Sequence, residues 1–224
     1  KNCNQKSMMH TAKYMHQILS LSNDAYEEIF QEIDTSGLVE KKGIIYIWTN
    51  KNLKSRNLEI KVRDQLKIEQ KLLTQKEVLE LEPNLNPVFD AGVIYESAMH
   101  ARDPHGILKK IFKLFLERGG KFIQTNVKNL EQINIDETII RSESEEYKFE
   151  KTVIASGAFS KKLTDQLGEN IPLDTERGYH VHFKDQDNLL KRPVIFLDRG
   201  FGLTPMNQGL RAVGTVELGG LENP

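Results

Sequence analysis

Val153-Ile154-Ala155-Ser156-Gly157-Ala158-Phe159-Ser160 is the stretch on which the fold turns. An apolar, β-branched run gives way to small residues and then to a helix start. Small side chains let a backbone approach a ligand closely, and a helix N-terminus beyond them offers oriented N–H donors. Many strand-to-helix turns use glycine for steric reasons alone, so the turn by itself leaves ligand binding open. What precedes it adds meaning. Asp103-Pro104 has the form of an N-cap followed by proline at the first helical position. Ile107, Leu108, Ile111, Phe112, Phe115 and Leu116 form an apolar stripe that Gly119-Gly120 ends. Lys121-Phe122-Ile123-Gln124 then reads as a strand, followed by short strands at 127–133, 137–141 and 147–149 and the apolar strand 152–155.

Working outward, the first third reads as helical. Met8, Met9, Ala12, Met15, Ile18 and Leu19 recur at helical spacing as a core-packing stripe, and Tyr26, Ile29, Phe30 and Ile33 continue it towards a stop at Gly37. Gly43 to Trp48 is strand-like, Leu53 to Gln70 helical, and Thr74 with Glu77 has capping-box spacing before a short helix that Pro83 ends. Ala91 to Tyr95 is a short strand. The last part is strand-rich, at 173–183, 194–197, 202–206 and 210–217. The class is α+β.

Composition narrows the function. Lys and Arg number 31 against 32 Asp and Glu, interleaved as on a solvated surface, which argues against a nucleic-acid footprint. Cys3 is the single cysteine, so neither a disulfide framework nor a Cys-rich zinc site is available. No apolar run approaches the ~20 residues that span a bilayer, and no signal peptide opens the chain. The expectation is a soluble cytoplasmic protein, with peripheral attachment to a membrane left open. HExxH, GxSxG, EF-hand and P-loop motifs are absent, and Gly200-Phe201-Gly202 runs into Leu203-Thr204-Pro205, which fails the dinucleotide fingerprint.

Leu81-Glu82-Pro83-Asn84-Leu85, Gly92-Val93-Ile94-Tyr95, Asp103-Pro104 and Gly119-Gly120, in that order, resemble the FAD-dependent D-amino-acid oxidase superfamily. Arg177-Gly178-Tyr179, Leu203-Thr204-Pro205-Met206 and Gly209-Leu210-Arg211-Ala212-Val213-Gly214-Thr215-Val216-Glu217 look most like its D-amino-acid dehydrogenases. The resemblance covers the chain from about Gly43 onward and implies a substrate domain of antiparallel sheet and helices, interwoven with part of an FAD/NAD(P)-binding-like α/β domain. It assigns 1–95 and 173–224 to the substrate domain and 96–172 to a partial FAD domain. The backbone at Val127 would contact adenine, while Ala155, Ser156 and Gly157 would approach the ADP portion of the flavin. The family's GxGxxG unit is expected upstream of Lys1 and a closing Gly-Leu-Arg-Pro-type segment downstream. The chain therefore reads as the truncated middle of an amino-acid-catabolising flavoprotein, inactive by itself and weak or lacking in FAD binding. In such a domain the parallel strands 121–124 and 153–155 would be buried on both sides, and left uncovered they would favour self-association.

The implied reaction is hydride removal from the α-carbon of a D-amino acid to flavin, giving a 2-oxo acid and ammonia; the electron acceptor is left unassigned. Tyr46, Tyr179, His182 and Arg211 are the substrate-facing candidates. Packing is the default for Tyr46, and a surface role for His182 and Arg211 is the ordinary alternative. His180 and His182 share a strand face, but no third metal ligand accompanies them, so no metal site is assigned. A flavin-less scaffold or specificity subunit, a glycine or sarcosine oxidase relative, and a 2-hydroxy-acid dehydrogenase relative are the competing readings.

Overall fold

The computed structural model describes residues 4–50 and 53–221; Cys3 lies outside them. The chain forms two compact units, one running to Gly120 and resuming at Tyr179–Thr215, the other comprising Lys121–Gly178 and the stretch from Val216.

The larger unit is built on a seven-stranded sheet. Its strands are β2 (Ile44–Trp48), β3 (Lys71–Thr74), β4 (Ala91–Tyr95), β9 (Arg177–Phe183), β10 (Val194–Phe196), β11 (Phe201–Met206) and β12 (Gly209–Glu217). Their spatial order is β3-β4-β2-β10-β11-β12-β9. The β2–β10 pair is parallel, Ile45 facing Val194 and Tyr46 facing Ile195, whereas β10–β11, β11–β12, β2–β4 and β3–β4 are antiparallel. The first residues of β9 and the last of β12 belong to the smaller unit. Two further strands, β1 (Val39–Glu40) and β5 (His100–Ala101), pair with each other.

One face of the large sheet holds the core. Ile45, Ile47, Ile94, Val194 and Phe196 point to that face, where Val78, Phe89 and Leu190 cover them. Val78 belongs to α4 (Gln75–Leu81), whose start follows from its sequence: the Thr74 side chain accepts from Glu77 N–H while the Glu77 carboxylate accepts from Thr74 N–H at 2.8 Å. That reciprocal box satisfies two donors that a helix start otherwise leaves unpaired. Beyond α4, Glu82 is fully buried, and its carboxylate accepts from Lys191 N–H at 2.8 Å and Arg192 Nε–H at 3.0 Å. Asn84 Nδ2 adds a bond to the Leu189 carbonyl at 3.0 Å. The Leu81–Leu85 turn thus clamps the segment that leads into β10.

Helices α1 (Gln5–Leu19), α2 (Ser22–Phe30), α3 (Leu53–Gln65) and α5 (Pro104–Glu117) complete this unit. Asp103 caps α5 as expected, its side chain accepting from Gly106 N–H at 2.9 Å. Three expectations fail here. The Met-rich stripe of α1 is not core: Met8 and Ala12 are half-buried along a groove shared with Val62 and Leu66, but Met15, Ile18 and Leu19 are exposed. Helix α2 ends at Phe30, well before Gly37, which instead serves the turn into β1. Helix α3 stops at Gln65, because Lys67 turns left-handed (φ 56°) and releases the chain into β3, a strand the sequence reading missed.

The smaller unit contains a three-stranded antiparallel sheet, β6 (Asn129–Asn134), β7 (Glu137–Arg141) and β8 (Glu146–Phe149), with Leu130 and Ile139 buried. Gln166 ties it to the helical stretch beyond, donating to the Lys128 carbonyl and accepting from Leu130 N–H at 2.9 Å. The runs 121–124 and 152–155 are not strands, and 173–176 does not join β9. A strand needs a neighbour to take its N–H and C=O groups as well as an apolar composition. No strand among the described residues pairs with these runs, so Phe122, Ile123 and Val153 are exposed rather than doubly buried.

Candidate functional site

The second face of the large sheet collects most of the substrate-facing candidates. Side chains directly opposite in a ladder share a face, and alternate residues along a strand do too. Tyr46 faces Ile195, Ile195 faces Gly202, and Gly202 faces Val213, which defines one row across four strands. Two residues along β11 and β12, Thr204 faces Arg211 and forms the next row on that face. Glu217 lies on it as well, by alternation from Arg211. Its carboxylate is 3.6 Å from the Arg177 guanidinium, which places Arg177, and with it Tyr179, on the same side of β9.

Tyr46, Tyr179 and Arg211 therefore share one face of the sheet, opposite the core. His182 does not join them. It stands on the other side of β9 with His180, the two rings edge-to-face at 5.1 Å, and its Nδ1 is buried without a partner. Among the described residues no cluster of three or more His, Cys, Asp or Glu side chains could hold a metal ion.

The environments along this face differ. Tyr46 is half-buried beneath α3, its ring edge-on to Tyr95 at 5.4 Å, with Arg63 lying over the Tyr95 ring. Burial pushes the Tyr95 hydroxyl pKa up, and that hydroxyl has no hydrogen-bond partner. Tyr179 is 48% exposed, and Val181 and Phe183 continue its face as an apolar edge. Arg211 is half-buried, and its Nε–H is shielded from solvent without an acceptor.

The residues assigned to the cofactor lie in the smaller unit. Ala155, Ser156 and Gly157 are exposed, and Gly157 sits at φ 55° with nothing within 4 Å of where a Cβ would stand. Among the described residues no backbone carbonyl accepts from the N–H groups of these three residues. Phe159 N–H does bond back to the Ser156 carbonyl at 3.1 Å, shaping a tight turn. A small-residue turn with open donors is compatible with close approach of a phosphate-bearing group. Val127 is half-buried just before β6.

A cavity of about 380 Å³ lies in the larger unit between α2 and α5, lined by Tyr26, Phe30, Val39, His100, Ile107 and Ile111. Desolvation lowers the His100 pKa, opposed by the nearby Glu40 carboxylate. Neither ring nitrogen makes a well-formed hydrogen bond, although the Pro205 carbonyl lies close enough to favour protonation weakly. Arg102, two residues on, is a junction that sequence reasoning missed. Its Nε donates to Asn207 Oδ1 at 2.9 Å and it pairs with Glu40 and Asp187, while Asn207 Nδ2 donates to the Gly37 carbonyl at 2.8 Å.

The two-residue turn Asn207-Gln208 pairs Met206 with Gly209, and counting back along both strands puts Thr204 opposite Arg211.

The family model described as FAD dependent oxidoreductase matches residues 4–224. A D-amino-acid oxidase of Bradyrhizobium diazoefficiens is 28% identical over 95% of this chain and 50% of its own length. A D-amino acid dehydrogenase of Vibrio atlanticus is 24% identical over 99% of this chain and 54% of its own. The chain thus spans about half the length of the curated relatives it matches. Among solved structures, a glycine oxidase from Geobacillus kaustophilus superposes with TM-score 0.76 at 18% identity, over 98% of this chain and 58% of that one. An L-proline dehydrogenase from P. horikoshii gives 0.78, also at 18% identity, over 92% and 56%. Both structural likenesses concern the fold.

Proposed function

This chain belongs to the family of FAD-dependent oxidoreductases, and on that premise we propose that the protein it forms part of oxidises the C–N bond of D-amino acids, giving 2-oxo acid and ammonia. The observation that carries this reading is the gathering of Tyr46, Tyr179 and Arg211 on one half-covered sheet face, in a chain whose curated relatives include D-amino-acid oxidases and dehydrogenases.

FAD, when bound, supplies the two-electron acceptor that no protein side chain can provide. The chain's residues bind and orient. The exposed turn at Ala155, Ser156 and Gly157, with the backbone at Val127, would hold the ADP portion of the cofactor. Tyr46 and Tyr179 present rings and hydroxyls to the substrate, which arrives as the neutral amine. Its α C–H bond breaks with both electrons leaving as hydride, and the nitrogen lone pair forms the C=N bond. Water then adds to the iminium carbon and ammonia leaves. No side-chain base is required for that sequence, since the neutral amine supplies the electron pair.

The test is an anaerobic titration of the full-length flavoprotein with D- and L-amino acids, glycine, sarcosine and 2-hydroxy acids. Bleaching of the flavin band by D-amino acids alone is the expected result. Bleaching by L-amino acids, N-methylglycine or hydroxy acids instead would replace the substrate class. A full-length protein that takes up no flavin would favour a scaffold or specificity subunit.

A further inference from the structure

Three polar groups on the α3 side of the large sheet are shielded from solvent without a hydrogen-bond partner among the described residues: Trp48 Nε1–H, Arg56 Nε–H and the Tyr95 hydroxyl. Trp48 is only 4% exposed, and the Arg56 side chain 14%. Tyr46 faces Val93, so Trp48 and Tyr95, each two positions further along its strand, lie on the same sheet face. Arg56 reaches that face from α3. All three side chains line one small cavity between β2, β4 and the helix, and Tyr46, Glu59 and Arg63 complete its wall. Buried donors in native proteins are nearly always matched, because an unmatched one keeps its full desolvation cost. Here three of them, from three separate elements, border the same space.

The chemistry of these groups specifies what they would bind. An indole N–H and a guanidinium N–H can only donate, and a tyrosine hydroxyl can donate as well. The charges on the wall, Arg56 and Arg63 against Glu59, leave one net positive charge. Both oxygens of Glu59 are already engaged, Oε1 accepting from Arg56 Nη1 at 2.7 Å and Oε2 standing 3.5 Å from Arg63 Nη1. A water here could accept from Trp48 and Arg56, but it would have two hydrogens of its own to place. An anion needs donors alone, and a cation would meet two arginines. The cavity, about 10 Å³, has room for one particle of about the size of a water, which excludes carboxylates, sulfate and phosphate.

We propose that Trp48, Arg56 and Tyr95 form a binding site for a single monatomic anion, a halide such as chloride, which fastens α3 to β2 and β4. The site is separate from the amine-oxidation reading and stands or falls without it. Its consequence is a stability that depends on halide concentration rather than on ionic strength, because the ion binds the folded arrangement of the three donors and not the unfolded chain.

The experiment uses the full-length protein and two readouts. First, the melting temperature is followed as sodium chloride replaces sodium gluconate at constant ionic strength. A saturable rise of about 3 °C is expected. It should vanish in W48F, which keeps an aromatic ring but removes the N–H donor. In Y95F, which loses only the hydroxyl, the chloride midpoint should move up about tenfold. Second, crystals are soaked in sodium bromide and diffraction is recorded at the bromine absorption edge. An anomalous peak among Trp48 Nε1, Arg56 Nε and the Tyr95 oxygen is the expected result. Equal melting temperatures in chloride and gluconate would overturn the proposal, and so would a rise of the same size in W48F, which would place the ion elsewhere. A density peak at the site without bromine signal would do the same, leaving a buried water only. If W48F does not fold, Y95F carries the comparison, and the bromide measurement needs no variant.

Discussion

Glu82 and Arg192 meet in the core of the larger unit, Nε to carboxylate at 3.0 Å, although 110 positions separate them in the chain. The same carboxylate holds Lys191 N–H, so one side chain closes the loop into β10 and sets where that strand enters beside β2. Because Glu82 is fully buried, no water can replace it as acceptor. Removing one partner of a buried pair leaves the other charge desolvated, which typically costs about 3–5 kcal/mol. Glu82→Ala is expected to destabilise by about 3 kcal/mol or more in chemical denaturation, and Glu82→Gln by less, because its amide oxygen still accepts from Lys191 N–H. A loss below about 1 kcal/mol for the alanine variant would show that the clamp does not hold the loop.

Gly209 opens β12 at φ 120°, and a Cβ there would stand 2.1 Å from the Phe183 carbonyl oxygen. Backbone cannot yield as a flexible side-chain tip does. Gly209→Ala should therefore separate β9 from β12 and lower stability by about 2 kcal/mol or more. Amide exchange is the discriminating measurement: protection should fall in residues 177–183 before it falls in β2 or β4. Uniform loss of protection would point to global destabilisation instead.

His100 provides a pH dependence. Desolvation lowers its folded-state pKa below the ordinary value of 6.5. Above that value both folded and unfolded states are neutral and the histidine has no effect on stability. As pH falls below 6.5 the unfolded state takes up the proton first, so stability declines towards the lower folded-state value. Melting temperature should drop between pH 7.5 and 5.5 in the parent chain, and less in His100→Gln. Glu40 and Glu77 have lowered values too, but they act from about pH 4.5 downward and so do not overlap this window. An identical slope in both proteins would assign the decline to other groups.

Phe122, Ile123 and Val153 bear on how the 224-residue chain behaves alone. Val153 is 87% exposed, and the runs 121–124 and 152–155 have no ladder partners among the described residues. Exposed apolar segments promote association. Light scattering should detect concentration-dependent oligomers, and charged substitutions at Ile123 and Val153 should reduce them. Incubation with excess FAD followed by desalting should leave little flavin absorbance, since the chain contains no GxGxxG cradle for the pyrophosphate. A compact monomer at all concentrations, or a retained flavin spectrum, would contradict these two expectations separately.

Some of this was legible in residues that act on their immediate neighbours. The Thr74–Glu77 capping box, the Asp103-Pro104 start of α5, the Ala91–Tyr95 strand and the three-stranded meander all depend on contacts within a few positions or on a short hairpin, and local chemistry specifies such features. The family resemblance was readable for a related reason: short motifs at turns and strand ends survive as words in the chain. What the sequence could not determine is anything requiring two distant strands to be set side by side. The apolar runs 121–124 and 152–155 read as strands but lack the neighbours that would make them so. His182 was listed with Tyr179 among the substrate-facing candidates, yet three positions of strand alternation put it on the opposite face of β9. Arg211 was a substrate-facing candidate with a surface role as its ordinary alternative, and only the register places it opposite Thr204 on the Tyr46 face. Local propensity and capping are properties of neighbouring residues, whereas facing, burial and the absence of a partner are properties of the assembled sheet.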